Sequence, residues 1–484
     1  MCMQGVSFVG GPVGEGDSID RAPPARSVFT DTPVHPARSA QSRAIRPFDV
    51  TNRTVFAIAV PMTLAYLSTP LLGLVDTAVI GQLGDAALLG GIALGGILFD
   101  LVFASFNFLR SGTTGLTAQA VGAGDGKEER AVLFRAGLLA LALGLCVVAL
   151  QVPILSAGLW LMGGSEAVKA ATASYFTVRT LSAPVALLNY AYLGWFIGRG
   201  QSMTALLLQT GLNGLNIALS VWFVLYLDWG VAGVAGATVL SELATAGVGT
   251  LLAMRALSGR AWPSRARIFN MARFRRMIAL NRDILIRSFA LIFAFAFFAS
   301  RSAVQGDTIL AANAILEKFF LISGYFLDGL ATAAEQLAGK AVGARYRPAF
   351  DKAVRLSVLW GFALALVAAL IFMAGGQALI DFMTTAEDVR SVAATYLPWA
   401  AATPLLGVLA FQMDGVFIGA TWSRDMRNMM LVSLALFLAA YWVLFPLLGN
   451  HGLWLAFSLF IAARGLTLLA ISRKRAAETF PETG

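Results

Sequence analysis

The chain is short of charge and nearly empty of the residues from which soluble enzymes build their sites. Only 13% of its 484 residues are Asp, Glu, Lys or Arg, about half the share a globular surface carries. Two cysteines (Cys2, Cys146) and two histidines (His35, His451) are too few for a Cys/His metal centre at any usual spacing. Neither a GxSxG elbow nor an HExxH pair occurs, so hydrolytic chemistry has no visible machinery. No GxxxxGK[ST] loop occurs either, which excludes an ATP-driven pump unless another chain supplies the ATPase. An enzyme is therefore not expected, and neither is a metal or other cofactor.

What the chain has instead is apolar sequence. Hydrophobic residues make up 58% and the mean hydropathy is +0.73, values that put most of the surface in lipid. Residues 1–53 stand apart as a polar tail rich in Pro, Gly, Ser and Arg, with no periodicity and no apolar core of a signal peptide; we expect it to be disordered. Beyond it, apolar stretches of about 20 residues or more recur near 54–80, 86–110, 133–156, 168–198, 203–226, 231–254, 284–304, 308–335, 353–375, 389–420, 427–447 and 451–472. Each must be helical, because only a helix satisfies its own backbone in hydrocarbon.

Charge orders these spans. With the amino terminus inside, 30 of the 36 Lys and Arg fall on inner segments and only Lys169 and Arg390 on outer ones, a strong positive-inside bias. Both termini are expected to be cytoplasmic. The net charge of +9 then needs no nucleic-acid partner.

The chain also repeats itself. NFLRSGTTGLTAQAVGA (107–123) aligns with DGLATAAEQLAGKAVGA (328–344), and YLGWFIG (192–198) with MDGVFIG (413–419) at the same offset. Two stretches of six spans that both begin inside make parallel repeats. The expected fold is an all-α integral membrane protein: twelve transmembrane helices in two six-helix lobes around a central cleft. Residues 54–254 form the first lobe, 255–283 an Arg-rich cytoplasmic linker, 284–472 the second lobe and 473–484 a cytoplasmic tail. Such duplication suits alternating access, so a transporter is the leading class, ahead of a scaffold or receptor.

Ionisable side chains within spans are functional candidates by default, because they are costly there. Asp76, about four to six residues short of the outer end of the first span, is the foremost, with Pro61 and Pro70 able to kink the helix before it. Asn213, Asn216 and Ser220 fall at i, i+3 and i+7 on one helical face. Thr238 and, a turn deeper, Glu242 bring polar groups to similar depth from the sixth span, although Ser, Thr and Asn also serve as plain interhelical glue. Arg179 is expected to neutralise a carboxylate, Glu242 or Asp100. Asp100 in the second span and Asp414 in the other lobe are secondary candidates. Glu317 and Lys318 are adjacent and point apart, each needing its own partner. Asp328, Glu335 and Arg464 are expected near cytoplasmic ends, as interfacial or gating residues.

At these residues the chain resembles a known family. Pro61, LVDTAVIGQLG, RSGTTGLTAQAVGA, GGSEAV, LSAP, LGWFIG and DGVFIGATWSRDMRN are similar to the DinF-type branch of the MATE family, the multidrug and toxic compound extrusion transporters, over about residues 50–475. The resemblance implies a two-lobed antiporter of a bacterial inner membrane, acting as a monomer. It would export small organic, cationic or amphipathic compounds in exchange for H+, or less expectedly Na+. It implies that Asp76 carries the coupling ion, with Asn216, Ser220 and Thr238 as pocket mates. Many relatives carry Asp where this chain has Ser220, and the acidic position of the NorM branch in the seventh span has no counterpart. One carboxylate instead of two favours H+, which needs a single movable acid, over Na+, which needs several oxygen ligands. The alternative is a lipid-linked precursor flippase of the same superfamily, for which a strongly cationic cavity would be expected.

Overall fold

The computed structural model describes residues 45–481. Most of the expected tail, 1–44, and residues 482–484 lie outside the described residues. Sixteen helices and no strands occur among the described residues. The first nine are α1 (Asn52–Gly81), α2 (Ala86–Ala104), α3 (Phe108–Gly122), α4 (Gly126–Ala149), α5 (Gln151–Met162), α6 (Glu166–Thr180), α7 (Ala183–Gly198), α8 (Ser202–Leu225) and α9 (Gly230–Leu257). They are followed by α10 (Arg265–Ile268), α11 (Met271–Ala303), α12 (Asp307–Ala344), α13 (Arg347–Met383), α14 (Glu387–Ala420), α15 (Ser423–Leu448) and α16 (Asn450–Thr479).

Local sequence explains many of the boundaries. Thr51 and Thr54 form a reciprocal cap that starts α1: Thr54 N donates to Thr51 Oγ1 at 3.2 Å and Thr51 N to Thr54 Oγ1 at 2.8 Å. Asp85, Asp125, Ser165 and Asn270 accept from backbone N–H groups at the starts of α2, α4, α6 and α11. The prolines inside helices release a carbonyl one turn back. Pro61 frees that of Ala57, which accepts from Ser202 Oγ at 2.8 Å and so ties α1 to α8. Pro404 frees that of Ala400, which accepts from Thr403 Oγ1 at 2.6 Å.

Eleven helices or helix pairs are long and apolar enough to cross a membrane, and the α6–α7 pair, bent by 54°, makes twelve. The chain is a multi-pass membrane protein with the expected number of spans, but several run past their expected ends. The second span is broken at Ser105–Asn107 and continues as α3 to Gly122. The seventh begins at Met271, so helix takes up residues 271–283 of the expected 255–283 linker. The third is α4, ending at Ala149 rather than near 156, with α5 separate. The eighth extends to Ala344 rather than 335, and α16 to Thr479, into the expected 473–484 tail. Where a helix outruns its apolar window the reason is shared: Arg, Lys, Glu and Gln end such a window but are good helix formers.

Helix order places residues 52 and 479 at one end of the bundle, here the terminus end, with Gly81 and Asp307 at the far end. At the terminus end one continuous apolar core joins α1, α3, α4, α7 and α8 to α11–α14 and α16. Glycines let the two halves of the chain touch backbone to backbone there. A Cβ on Gly122 would lie 2.0 Å from Lys340 O, one on Gly343 2.0 Å from Gln119 O, and one on Gly115 2.4 Å from Ile418 O. Gln119 Nε2 donates to Gly419 O at 2.9 Å and to Thr421 Oγ1 at 3.1 Å, and Arg276 donates to both Gln119 Oε1 and Thr421 Oγ1. Thr421 holds φ +58°, unusual for a β-branched residue, with these two donors fixing its hydroxyl. At the far end the core splits. Val79, Ile80, Tyr175, Val224 and Val234 cluster within the first half, and Phe298, Phe372, Phe437 and Trp454 within the second. The molecule is shut at the terminus end and parted at the other.

Candidate functional site: two adjoining polar cavities

Two cavities occupy the middle of the bundle. A smaller one, of about 170 Å³, lies within the first half and is lined by Asp100, Arg179, Asn213, Asn216, Thr238 and Glu242. A larger one, of about 570 Å³, lies between the halves. They share Thr69, Tyr190, Leu193 and Gln209 as a common wall.

The polar layer expected from α1, α8 and α9 is present and is bonded through. Ser220 Oγ donates to Asn216 Oδ1 at 3.1 Å, Asn216 Nδ2 to Thr238 Oγ1 at 3.0 Å, and Thr238 Oγ1 to Val234 O at 3.2 Å. Asn213 Nδ2 reaches Ser68 Oγ on α1 at 2.7 Å. Asp76 stands behind this layer, beside Ser220, 9% exposed. Its Oδ1 is buried and finds no hydrogen-bond partner among the described residues. Glu242 is buried nearby with Oε2 likewise unpartnered, whereas Asp100 is exposed to the cavity.

Arg179 departs from expectation. Among the described residues no carboxylate lies within ion-pair distance of it, although Glu242, Asp100 and Asp76 are its charged surroundings. Its guanidinium donates to Tyr175 Oη one turn back and sits 3.7 Å from the centroid of the Phe99 ring. Arginine is planar and weakly hydrated, so stacking on an aromatic face competes with direct pairing. The first half therefore places three acids around one arginine, Asp100 and Glu242 in the cavity wall and Asp76 behind it, with none of them directly bridged to Arg179.

Asp414 does not join this set. It is buried in the other half, where Arg287 and Arg464 both bond its carboxylate, Arg464 at 2.9 Å. Its negative charge is already matched, which removes it as a free second acid. Arg464 is thus not at a cytoplasmic end but in the wall of the central cavity, as are Asp328 and Glu335. α12 runs 16 residues past Asp328 and nine past Glu335, or about 24 Å and about 14 Å, so neither acid is at the helix end. Arg110 and Arg287, counted from the sequence as inner-end charges, line the same cavity. Glu317 instead lines a separate groove beside α11, with Phe295 and Leu321. The i, i+7 spacing of Asp328 and Glu335, which puts both on one helical face, is the signal by which the α12 acids could have been found.

A bundle of twelve apolar spans, with charged side chains converging on one cavity within its first half and one between its halves, defines a membrane transporter. The MatE family model matches the chain twice, over residues 61–222 and 284–443. DNA damage-inducible protein F of Escherichia coli is 39% identical over 428 residues, covering 87% of this chain and 92% of that protein. Protein DETOXIFICATION 42 of Arabidopsis thaliana is 26% identical, covering 90% of this chain and 95% of that one. A solved MOP superfamily transporter from Pyrococcus furiosus shares the fold, with a TM-score of 0.81 at 18% identity over 88% of this chain and 96% of that one. The chain belongs to the MatE family, whose members are transporters and not enzymes.

Proposed function

We propose that the protein is a secondary active efflux transporter, exporting small organic, cationic or amphipathic compounds by alternating access in antiport with H+. The observation that carries this reading is the acid cluster of the first half: Asp100 and Glu242 line its cavity, Asp76 stands behind it, and all three surround Arg179 without a direct ion pair. An unpaired carboxylate in low dielectric is costly as an anion. Proton uptake removes that cost, and proton release restores it, so the occupancy of Asp76 can bias the conformation of α1. Na+ is the less favoured ion, because the nearest oxygens are engaged. Asn216 Oδ1 accepts from Ser220 and Thr238 Oγ1 from Asn216, and a metal ion would have to displace both bonds.

The double family match supports a duplicated chain with six-helix lobes over 54–254 and 284–472. The distribution of Lys and Arg supports cytoplasmic termini in a bacterial inner membrane. In that orientation, closure at the terminus end makes this the outward-facing state. We read the protein as acting as a monomer in lipid, without nucleic acid or cofactor. The flippase alternative is less well served: the three arginines of the central cavity (Arg110, Arg287, Arg464) are equalled in number by three acids (Asp328, Glu335, Asp414), which does not make a strongly cationic surface.

The test uses the full chain in proteoliposomes with ethidium as the transported cation. Uptake should follow an imposed pH gradient, proceed without sodium, and dissipate the gradient in return. A protein inert under a pH gradient but active under a sodium gradient would overturn the proton coupling.

A further inference from the structure

The central cavity contains two carboxylates that the ion-coupling layer does not use. Asp328 and Glu335 project from one face of α12, two turns apart, and both line the cavity. Glu335 is 3% exposed, and its Oε1 has no hydrogen-bond partner among the described residues; Thr114 lies at its other side. Asp328 is exposed to the cavity. Neither has a guanidinium or ammonium within ion-pair distance among the described residues. Arg110 on α3 is the cation that faces both, and Arg287 and Arg464 face Asp328 as well; Arg110 Nε donates to Asn107 Oδ1 and Nη2 to Ser111 Oγ, each at 3.1 Å, while its Nη1 has no hydrogen-bond partner among the described residues. The third acid of the cavity, Asp414, is taken by Arg287 and Arg464.

We propose that Asp328 and Glu335 form the subsite that receives the positively charged group of the exported molecule, apart from the Asp76 layer. This rests on the export of organic cations proposed above and adds where the cation lands. Tyr66, Phe295, Phe320, Tyr325 and Phe411 line the same cavity. Aromatic faces beside a pair of carboxylates suit a delocalised or alkylated ammonium, which gains cation–π contact and Coulomb attraction together. A small hydrated cation has no use for the rings. Substrate and proton then occupy different acids in different walls. Their coupling runs through α1, which contacts α12 where Tyr66 Oη and Thr332 Oγ1 bond at 2.9 Å, instead of through competition for one carboxylate.

The experiment measures ethidium binding to the purified full-length protein by fluorescence anisotropy, beside the uncharged aromatic phenanthridine. Asp328→Asn and Glu335→Gln should each weaken ethidium at least tenfold and leave phenanthridine within about twofold. Glu166→Gln removes the same charge from an exposed site at the far end and should change neither. Asp328 opens onto the cavity, so its substitution disturbs little packing and stands as the informative variant if Glu335→Gln misfolds. Ethidium binding that survives Asp328→Asn unchanged overturns this subsite while leaving efflux intact. Equal loss of ethidium and phenanthridine also overturns it, since the effect is then not on charge. A wild-type protein that binds no ethidium overturns the subsite and the organic-cation reading together.

Discussion

Closure of the terminus end depends on glycines at positions where no other residue fits. Gly122 on α3 faces Lys340 O of α12 so closely that a Cβ would stand 2.0 Å from the oxygen, 2.8 Å from the carbonyl carbon and 2.9 Å from Ala344 N. These are backbone atoms and cannot swing aside. An ordinary contact at about 3.4 Å requires the two helices to part by roughly 1 Å or more, a strain of about 1–3 kcal/mol in a packed interior. In a two-state equilibrium that penalty falls only on the state closed at this end and shifts populations about 5- to 150-fold. Gly122→Ala should therefore drive the protein toward the opposite conformation, with the terminus end open and the far end shut. Intrinsic propensity acts the other way, since Ala in a helix interior is about 1 kcal/mol better than Gly, so a defect must come from the interface. Gly247 in α9 meets nothing within 4 Å of its Cβ position, and Gly247→Ala is the matched control. Spin labels at Glu166→Cys and Glu387→Cys, both exposed at the far end, in a background with Cys2 and Cys146 replaced by Ser, report the separation of the two halves. The distance should shorten in Gly122→Ala and stay unchanged in Gly247→Ala. A folded Gly122→Ala protein with the wild-type distance and wild-type transport would refute the reasoning.

Other substitutions probe the charges. Asp76→Asn keeps shape and removes titration, and should abolish export of ethidium from cells at equal expression; wild-type resistance in that strain would remove Asp76 from the coupling step. Ser220→Asp adds a second acid beside Asp76 and should make transport in proteoliposomes respond to sodium, which the wild type should ignore. Arg464→Met leaves Asp414 with Arg287 alone in a buried site. Removing one partner of a buried pair costs about 3–5 kcal/mol, so the thermal midpoint should fall clearly. Adding Asp414→Asn to the same chain should recover part of that loss, and strict additivity of the two substitutions would count against the pairing.

The fold was legible because lipid imposes two simple rules. Apolar length marked each span, and the one-sided distribution of Arg and Lys marked their alternation, so the number of spans followed. Span ends were misplaced wherever a helix outlasted its apolar stretch, as at Met271, Gly122 and Ala344. A hydropathy window reports contact with hydrocarbon, while the helix ends only where its backbone bonding does. The positive-inside count also treated each basic residue alike. Arg110 and Arg287 were absorbed into inner segments, although the helices carry both into the central cavity.

The first-half layer was legible for a different reason. Asn213, Asn216 and Ser220 share a face by helical spacing, and depth along α1 and α9 brought Asp76 and Thr238 to the same level, so one-dimensional arithmetic sufficed. Pairing between helices lies beyond such arithmetic. Depth alone made Arg179 a partner for Glu242 or Asp100, yet the guanidinium turned to Phe99 and Tyr175, a choice set by rotation about the helix axis. The same ignorance of rotation gave Asp414 a free charge when two arginines from α11 and α16 already hold it. A buried acid is a candidate for ion or substrate only when its charge is unmatched. By that criterion Asp76 and Glu335 stand alike, each buried and each with a carboxylate oxygen left without a partner among the described residues. They lie on α1 and α12, helices in direct contact. The antiport proposed above needs two acids whose charge is unmatched, and Asp76 on α1 and Glu335 on α12 are two such carboxylates on touching helices.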